Sequence, residues 1–405
     1  MSSLRSGRTV TLRRGALAAV ATLAVSTGVA VPAQAAAPAA PAARAQVCPG
    51  VDVPSVTGTA PDVRLTDAFA DYANSGGAGH WTGADSTYSA PLPGGADAWI
   101  FSDSFLGRVN ADGSRPPVVQ DGGTTPFVNN TFVETRKGRP TVTVTGGTAG
   151  APTALLPPPD AAHWYWARDG LMLGDRLNVV YSEFKTTGSG PLDFGWDRNV
   201  LARFDPAHLG GPVSVSPLPS ATGISWGAWI SRDGGDTYVY GSEDLGAHKY
   251  LHVARVAGSD LTRPWQYLTA GGTWSSDESA SARVDGGPGA AFEVSNEFSV
   301  VKHGRVYVMV TQDLSQPLSA GIDLAFSCSP SGPFVDETTA YTTPESGPTG
   351  SYGNANVFTY NPHEHQELGD RKHLVVSYNV NSFVNTDLYA DASIYRPRFV
   401  DVSLG

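Results

Sequence analysis

The sequence predicts an all-β fold, a five-bladed β-propeller of four-stranded antiparallel blades. Three observations lead there. Glycine (46) and proline (30) are abundant among the 405 residues, and short Val/Tyr/Trp/Phe runs alternate with turns while long helical periodicity is nearly absent. A hairpin turn followed by an apolar run with a polar end recurs five times, at intervals of roughly 60 to 80 residues, a little above the usual blade period. A weaker pair of strand patterns fills each interval. A two-sheet sandwich would house the strands but leave the fivefold recurrence unexplained.

Taken in order, the chain opens with Arg5, Arg8, Arg13 and Arg14, a small apolar stretch and the small-x-small site Ala33-Gln-Ala35. Residues 1–35 therefore read as a secretory signal peptide. The Arg13-Arg14 pair lacks the usual following Phe, so the general and twin-arginine routes both stay open. Residues 36–47 form an Ala/Pro-rich tether, and 48–405 the propeller as a catalytic domain. Cys48 and Cys328 are the only cysteines, and in an exported protein they are expected to pair.

The first unit is the hairpin 85–103, closed by Pro93-Gly-Gly95, with Asp85 and Asp103 at its open end. Its apolar strand, Ala98-Trp-Ile-Phe-Ser-Asp103, has four later counterparts: Asn178-Val-Val-Tyr-Ser-Glu183, Tyr238-Val-Tyr-Gly-Ser-Glu243, Tyr307-Val-Met-Val-Thr-Gln312 and Leu374-Val-Val-Ser-Tyr-Asn379. Third strands are predicted at 130–134, 200–205, 250–256, 321–327 and 392–397, and outer strands at 141–144, 213–217, 265–268, 338–342 and 399–404. The polar strand ends then form a ring at one end of a central funnel.

The strand opening each unit adds further groups. Asp169 follows Trp164-Tyr-Trp166, and Glu297 follows Asn296 in the fourth unit. The third opens with Trp226-Gly-Ala-Trp229 and carries no acid, and the fifth places Tyr360 there. Carboxylates from different blades meeting in one funnel suit glycoside hydrolysis, which needs a proton donor and a base or nucleophile. The candidate catalytic residues are Asp85, Asp103, Asp169, Glu297 and Glu243. The candidate substrate contacts are Trp81, Trp164, Trp166, Trp226 and Tyr360 for stacking, and Asn130, Glu183, Asn296, His363 and Asn379 for polar contacts. No Cys/His spacing suggests zinc, and His363-Glu-His365 reads as a loop rather than a ligand pair, so no metal or cofactor is expected beyond a structural calcium left open.

Without the signal arginines the formal charge falls from −11 to −15. That argues against nucleic acid or an anionic membrane as partner and favours a neutral glycan. No stretch of the mature sequence is apolar enough to span a bilayer, and a monomer is expected.

The segments D-S-T-Y-S…W-I-F-S-D-S-F-L-G, G-I-D-L-A-F-S…S-G-P-F and L-V-V-S-Y-N-V-N resemble secreted actinobacterial propellers of the glycoside-hydrolase type. These are similar to the family that contains endo-D-arabinanases, and more distantly to arabinanase- and invertase-like propellers. The resemblance implies a secreted hydrolase of furanose-containing, arabinan- or arabinogalactan-like polysaccharide. In the arabinanase type the base, pKa modulator and acid sit on blades one, two and three. Asp85 and Asp169 match the first two, but Trp226 and Trp229 stand where the acid should be. The acid thus stays open among Glu297, Glu243 and Asp103. In the endo-D-arabinanase-like pattern the hairpin pair Asp85 and Asp103 is implied instead. The alternatives are a non-catalytic glycan-binding propeller, which needs the aromatics but not the acids, and a polysaccharide lyase with Tyr360 or His363 as base.

Overall fold

The computed structural model describes residues 48, 49, 51–188, 193–287 and 290–405. The expected signal peptide and tether lie outside them. Among the described residues, five antiparallel sheets of four or five strands follow one another, with three smaller two- or three-stranded pieces.

The first sheet is Tyr88–Leu92, Ala96–Phe101, Thr131–Arg136 and Arg139–Val144. Its hairpin closes as the Pro-Gly-Gly signal predicts: Leu92 pairs with Ala96, and Gly94 and Gly95 take φ of 84° and 76°. Beyond the pairing of Tyr88 with Ile100, the two strands resume as Trp81–Ala84 against Ser104–Leu106. The second sheet is His163–Leu173, Arg176–Thr186, Phe194–Phe204 and Ser214–Pro217. The third is Ser225–Asp233, Asp236–Asp244, Lys249–Ala257, Gln266–Leu268 and Trp274–Ser275. The fourth is Ser299–His303, Val306–Gln312, Gly321–Ser327 and Val335–Thr342.

The fifth sheet corrects one expectation. Residues 392–397 are not its third strand: Ala392–Tyr395 is a 3-10 turn, and Pro397–Leu404 is the third strand. The fourth comes from the other end of the chain, Val56–Pro61, which pairs antiparallel from Val56 opposite Leu404 to Pro61 opposite Val400. The last strand offers its free edge to the first, so the edge is covered.

The first strands of successive sheets lie side by side: His163–Leu173 between Tyr88–Leu92 and Ser225–Asp233, then Ser299–His303 and Val357–Glu364. The fifth sheet reaches the first through Asn379 Nδ2, which donates to Thr87 Oγ1 at 2.8 Å. Buried side chains of neighbouring sheets interlock, as where Phe132 meets Phe204 edge-on at 5.0 Å. The arrangement is propeller-like and all-β apart from short helices.

A helix that the sequence pattern hid, Val63–Asn74, is capped by Asp62, whose carboxylate accepts from Leu65 N at 2.8 Å. Its buried Leu65, Phe69 and Ala73 cover Trp81, Trp99 and Phe399. Cys48 and Cys328 form the expected disulfide, tying the start of the described chain to the end of a fourth-sheet strand. Among the described residues no helix is long and apolar enough to cross a membrane.

Candidate active site

The strand that opens the first sheet breaks after Ala84. Ser86 and Thr87 take φ of 71° and 62°, the left-handed region that side chains other than glycine avoid. The kink turns Asp85 inward without losing its partner strand: Asp85 N donates to Asp103 O at 3.2 Å and Ser102 N to Asp85 O at 3.1 Å. The two acids therefore face each other across one ladder.

Asp85 lines a cleft of about 510 Å³ to which all five sheets contribute. Trp166 and Arg168 come from the second, Ser242 and Asp244 from the third, Asn296 and Glu297 from the approach to the fourth, and Tyr360 and Asn361 from the fifth. Tyr360 Oη donates to Asp85 Oδ2 at 2.8 Å, while Asp85 Oδ1 is shut off from solvent with no hydrogen-bond partner among the described residues. Burial, then the charges of Asp103 and Glu297, push the Asp85 carboxyl well above the usual range, and the phenols of Tyr360 and Tyr395 oppose the shift. Asp103 is buried. Asn129 Nδ2 and Trp166 Nε1 donate to its Oδ1 at 2.9 and 2.8 Å. Burial outweighs those two donors and raises its pKa to about 7. Glu297 accepts from Ser86 Oγ at 2.9 Å, and His363 Nε2 stands 3.3 Å from its other oxygen. Asp85 and Asp103, both raised and facing each other, form a carboxyl pair that can supply a proton donor beside a base.

One side of the cleft is aromatic. Trp166 and Phe184 lie 4.4 Å apart, with Phe194 at 5.5 Å and Trp164 at 5.8 Å from Trp166. Trp166, Phe184 and Phe194 reach the cleft, and Trp164 backs them. Such a wall stacks on sugar faces.

The structure thus brings Asp85, Glu297, Trp166, Asn296 and Tyr360 together in the cleft lining, and Asp103, outside the lining itself, adjoins it through Trp166 and the ladder to Asp85. It takes the remaining candidates elsewhere. Asp169 does not line the cleft. Its oxygens accept from Gly170 N and Ile230 N, both at 2.7 Å, so the carboxyl staples the second sheet to the third. Glu243 is held at 2.7 Å by Arg283 and stands 3.4 Å from His252, outside the cleft lining. Glu183 accepts from Tyr165 Oη at 3.1 Å, on the strand face opposite the cleft. Trp81 is buried against Phe69 and Phe101. Trp226 is buried against Trp265 and Tyr267. Asn130 accepts from Leu156 N and donates to Tyr165 O, a backbone staple. Asn379 anchors Thr87, and His363 is buried against Tyr88 beneath Glu297.

The third sheet has the same bulge, with Gly227 and Ala228 where the second has Arg168 and Asp169; Gly227, at φ 90°, lies against Val180, where a Cβ would be 2.5 Å from Val180 Cγ1. The sequence reading missed Ser86, Arg168, Asn361 and Tyr395. Arg168 was recoverable, because strand alternation from Trp164 and Trp166 leads to it and not to Asp169. Its guanidinium donates to Ser182 Oγ, Asn296 O and Ser225 Oγ at 2.8 to 3.1 Å, which ties the second, third and fourth sheets below the cleft.

Among the described residues, His163, Glu183 and Asp197 bring ligand-type atoms within 4.8 Å of one another. Lys185 and Arg198 already neutralise Asp197, at 2.5 and 2.9 Å, and Arg198 stands 3.5 Å from Glu183. The trio is adequately explained as an ion-pair cluster.

Residues 67–404 match the family model described as a domain of unknown function, DUF5005. No curated protein matches the sequence. Among solved structures, a Bacteroides ovatus protein provisionally described as a hydrolase superposes with a TM-score of 0.70 at 22% identity, over 85% of this chain and 90% of its own. The GH43_1 enzyme from Xanthomonas citri complexed with xylotriose gives 0.42 at 16% identity, over 84% and 92%. An α-L-arabinofuranosidase from Podospora anserina in complex with cellotriose gives 0.41 at 10%, over 80% and 90%. The first shows a shared fold, and the other two superpose too loosely to add to it.

Proposed function

This chain belongs to the DUF5005 family, and we propose that it is a secreted glycoside hydrolase, a five-bladed propeller closed by its N-terminal strand. In this reading residues 1–35 export the chain, by the general or twin-arginine route, and 36–47 tether a monomeric catalytic domain. The substrate is a furanose-containing polysaccharide of the arabinan or arabinogalactan kind. The resemblance of the 85–107, 321–334 and 374–381 segments to endo-D-arabinanase-type propellers supports that choice, and the acidic cleft disfavours a polyanion.

The observation that carries the reading is the facing pair Asp85 and Asp103, beside an aromatic wall and raised above the ordinary carboxylate range. Asp103, at about 7, holds a proton that it gives to the glycosidic oxygen as the C–O bond breaks. Asp85, oriented by Tyr360, either draws a proton from water or bonds the anomeric carbon itself. The charge of Glu297 adds to burial and to Asp103 in raising the Asp85 carboxyl, so Asp85 acts as base or nucleophile in the fraction of molecules where it is ionised.

The test is incubation of the mature protein with arabinan, arabinogalactan and other wall polysaccharides, with Asp85→Asn as control. New reducing ends from the wild type and none from the variant support the reading. Retention of glycan without products makes the protein a binding module. Unsaturated products absorbing in the near ultraviolet make it a lyase.

A further inference from the structure

Trp166 joins the two halves of the cleft. Its ring lines the open space, while its Nε1 donates to Asp103 Oδ1 at 2.8 Å. Asn129 Nδ2 donates to the same oxygen at 2.9 Å, so both donors converge on Oδ1 and leave Oδ2 without a hydrogen bond among the described residues. The ring cannot swing away easily. Phe184 packs on it at 4.4 Å and 54°, and Phe194 meets it edge-on at 5.5 Å and 90°. A side chain held this way keeps both its indole N–H and its exposed face in fixed places.

We propose that Trp166 is the positioning residue for Asp103 and, with the same ring, the platform for the sugar on the leaving side of the cleaved bond. The proposal rests on the reading of Asp103 as proton donor. The donor must reach the oxygen of the departing sugar. Asp103 is not itself in the cleft lining, but the residue that fixes one of its oxygens is, so a sugar stacked on Trp166 lies one hydrogen-bonded side chain from Asp103, whose free Oδ2 is the oxygen left to serve the glycosidic bond. Asp85 and Glu297 line the same cleft but belong to the first sheet and to the approach to the fourth, whereas the aromatic wall is built from the second. The arrangement favours substrates that carry a sugar on the leaving side, that is oligomers and polymers, over glycosides of small alcohols.

The test uses the full mature protein and short arabinan oligosaccharides. Trp166→Phe keeps a stacking ring and removes the N–H. Losing a donor to the ionised carboxylate favours the protonated form, so the alkaline limb of kcat/KM moves up by about one pH unit while KM changes less than about twofold. Trp166→Ala moves the limb likewise and raises KM by about tenfold. Asn129→Leu removes the other donor, away from the platform, and shifts the limb with KM unchanged, which keeps the test open if a Trp166 variant folds poorly. An unmoved limb in both Trp166→Phe and Asn129→Leu overturns the positioning role, and an unchanged KM in folded Trp166→Ala overturns the platform. Asp103→Asn separates the two levels: a variant that still hydrolyses the oligosaccharides removes Asp103 as donor and takes the underlying reading with it, whereas an inactive Asp103→Asn beside an unmoved limb sinks only the role of Trp166.

Discussion

Asp85 and Asp169 both lie at breaks in the opening strands of the first two sheets, Asp85 in the gap after Ala84 and Asp169 in the bulge between Ala167 and Gly170, and both are pushed well above the usual carboxylate range, chiefly by burial. Their oxygens tell them apart. Both oxygens of Asp169 are filled by backbone N–H groups, at 2.7 Å, from its own sheet and the next. Asp85 has one oxygen on Tyr360 and one with no partner among the described residues, beside a cleft and two other carboxyls. A perturbed carboxyl is therefore not by itself a site. What distinguishes the functional candidate is a buried oxygen left without a partner, where both oxygens of the structural one are engaged.

The largest expected effect separates these two acids by activity. Asp85→Asn removes the base, lowering kcat by roughly 10² to 10⁴-fold. Its melting temperature stays level or rises, because a charge repelled by Asp103 and Glu297 is gone. Steady-state rates and a thermal melt on the same preparation check this. Unchanged turnover would remove Asp85 from the mechanism and erase the contrast.

Asp169→Ala should do the reverse. It strands two buried N–H groups between the second and third sheets, at a cost of about 2–6 kcal/mol in stability. Urea denaturation measures the loss, and activity per folded molecule should survive. A variant as stable as the wild type would show that the two hydrogen bonds are not holding the sheets together.

Asp103 sits between these cases, and its effect depends on pH. Its folded value of about 7 lies above the ordinary 3.8. Below about pH 4 both folded and unfolded chains hold the proton, and the shift costs nothing. Between there and 7 only the unfolded chain releases it, so stability falls as pH rises, by up to about 4 kcal/mol in all. Asp103→Asn escapes this. Its melting temperature should match the wild type at pH 4 and exceed it by several degrees at pH 8. Parallel melts at the two pH values would expose an Asp103 with an ordinary pKa.

The same contrast marks how far the sequence could be read. The fivefold recurrence and the 85–103 hairpin were legible because turn chemistry and strand patterns are local. The pairing of Val56–Pro61 with Pro397–Leu404 was not, because it joins the two ends of the described chain. The helix Val63–Asn74 was hidden by its length, twelve residues with only three buried. In the second sheet a bulge between Ala167 and Gly170 shifts the register, and Asp169 was placed by motif instead of by alternation. Trp81 and Trp226 were misplaced for a related reason: an aromatic at a strand opening looks the same whether it faces a cleft or a neighbouring sheet, and only packing decides.

Glu243 offers the smallest expected effect and closes the choice of acid. Arg283, at 2.7 Å, holds its carboxyl below the ordinary range, with some opposition from burial. A depressed value contributes stability above the unfolded pKa and loses it as pH falls through the folded one. The Arg283 side chain is 40% exposed, so the pair is screened and contributes less than about 1 kcal/mol at pH 7. Glu243→Gln should therefore lower stability slightly at pH 7 and not at all near pH 3, where both forms are neutral. Turnover should stay within about twofold of wild type, because a carboxyl engaged by Arg283 holds no proton to give at neutral pH. A loss of turnover in a folded Glu243→Gln variant would return the acid to the third sheet and take the role of proton donor from Asp103.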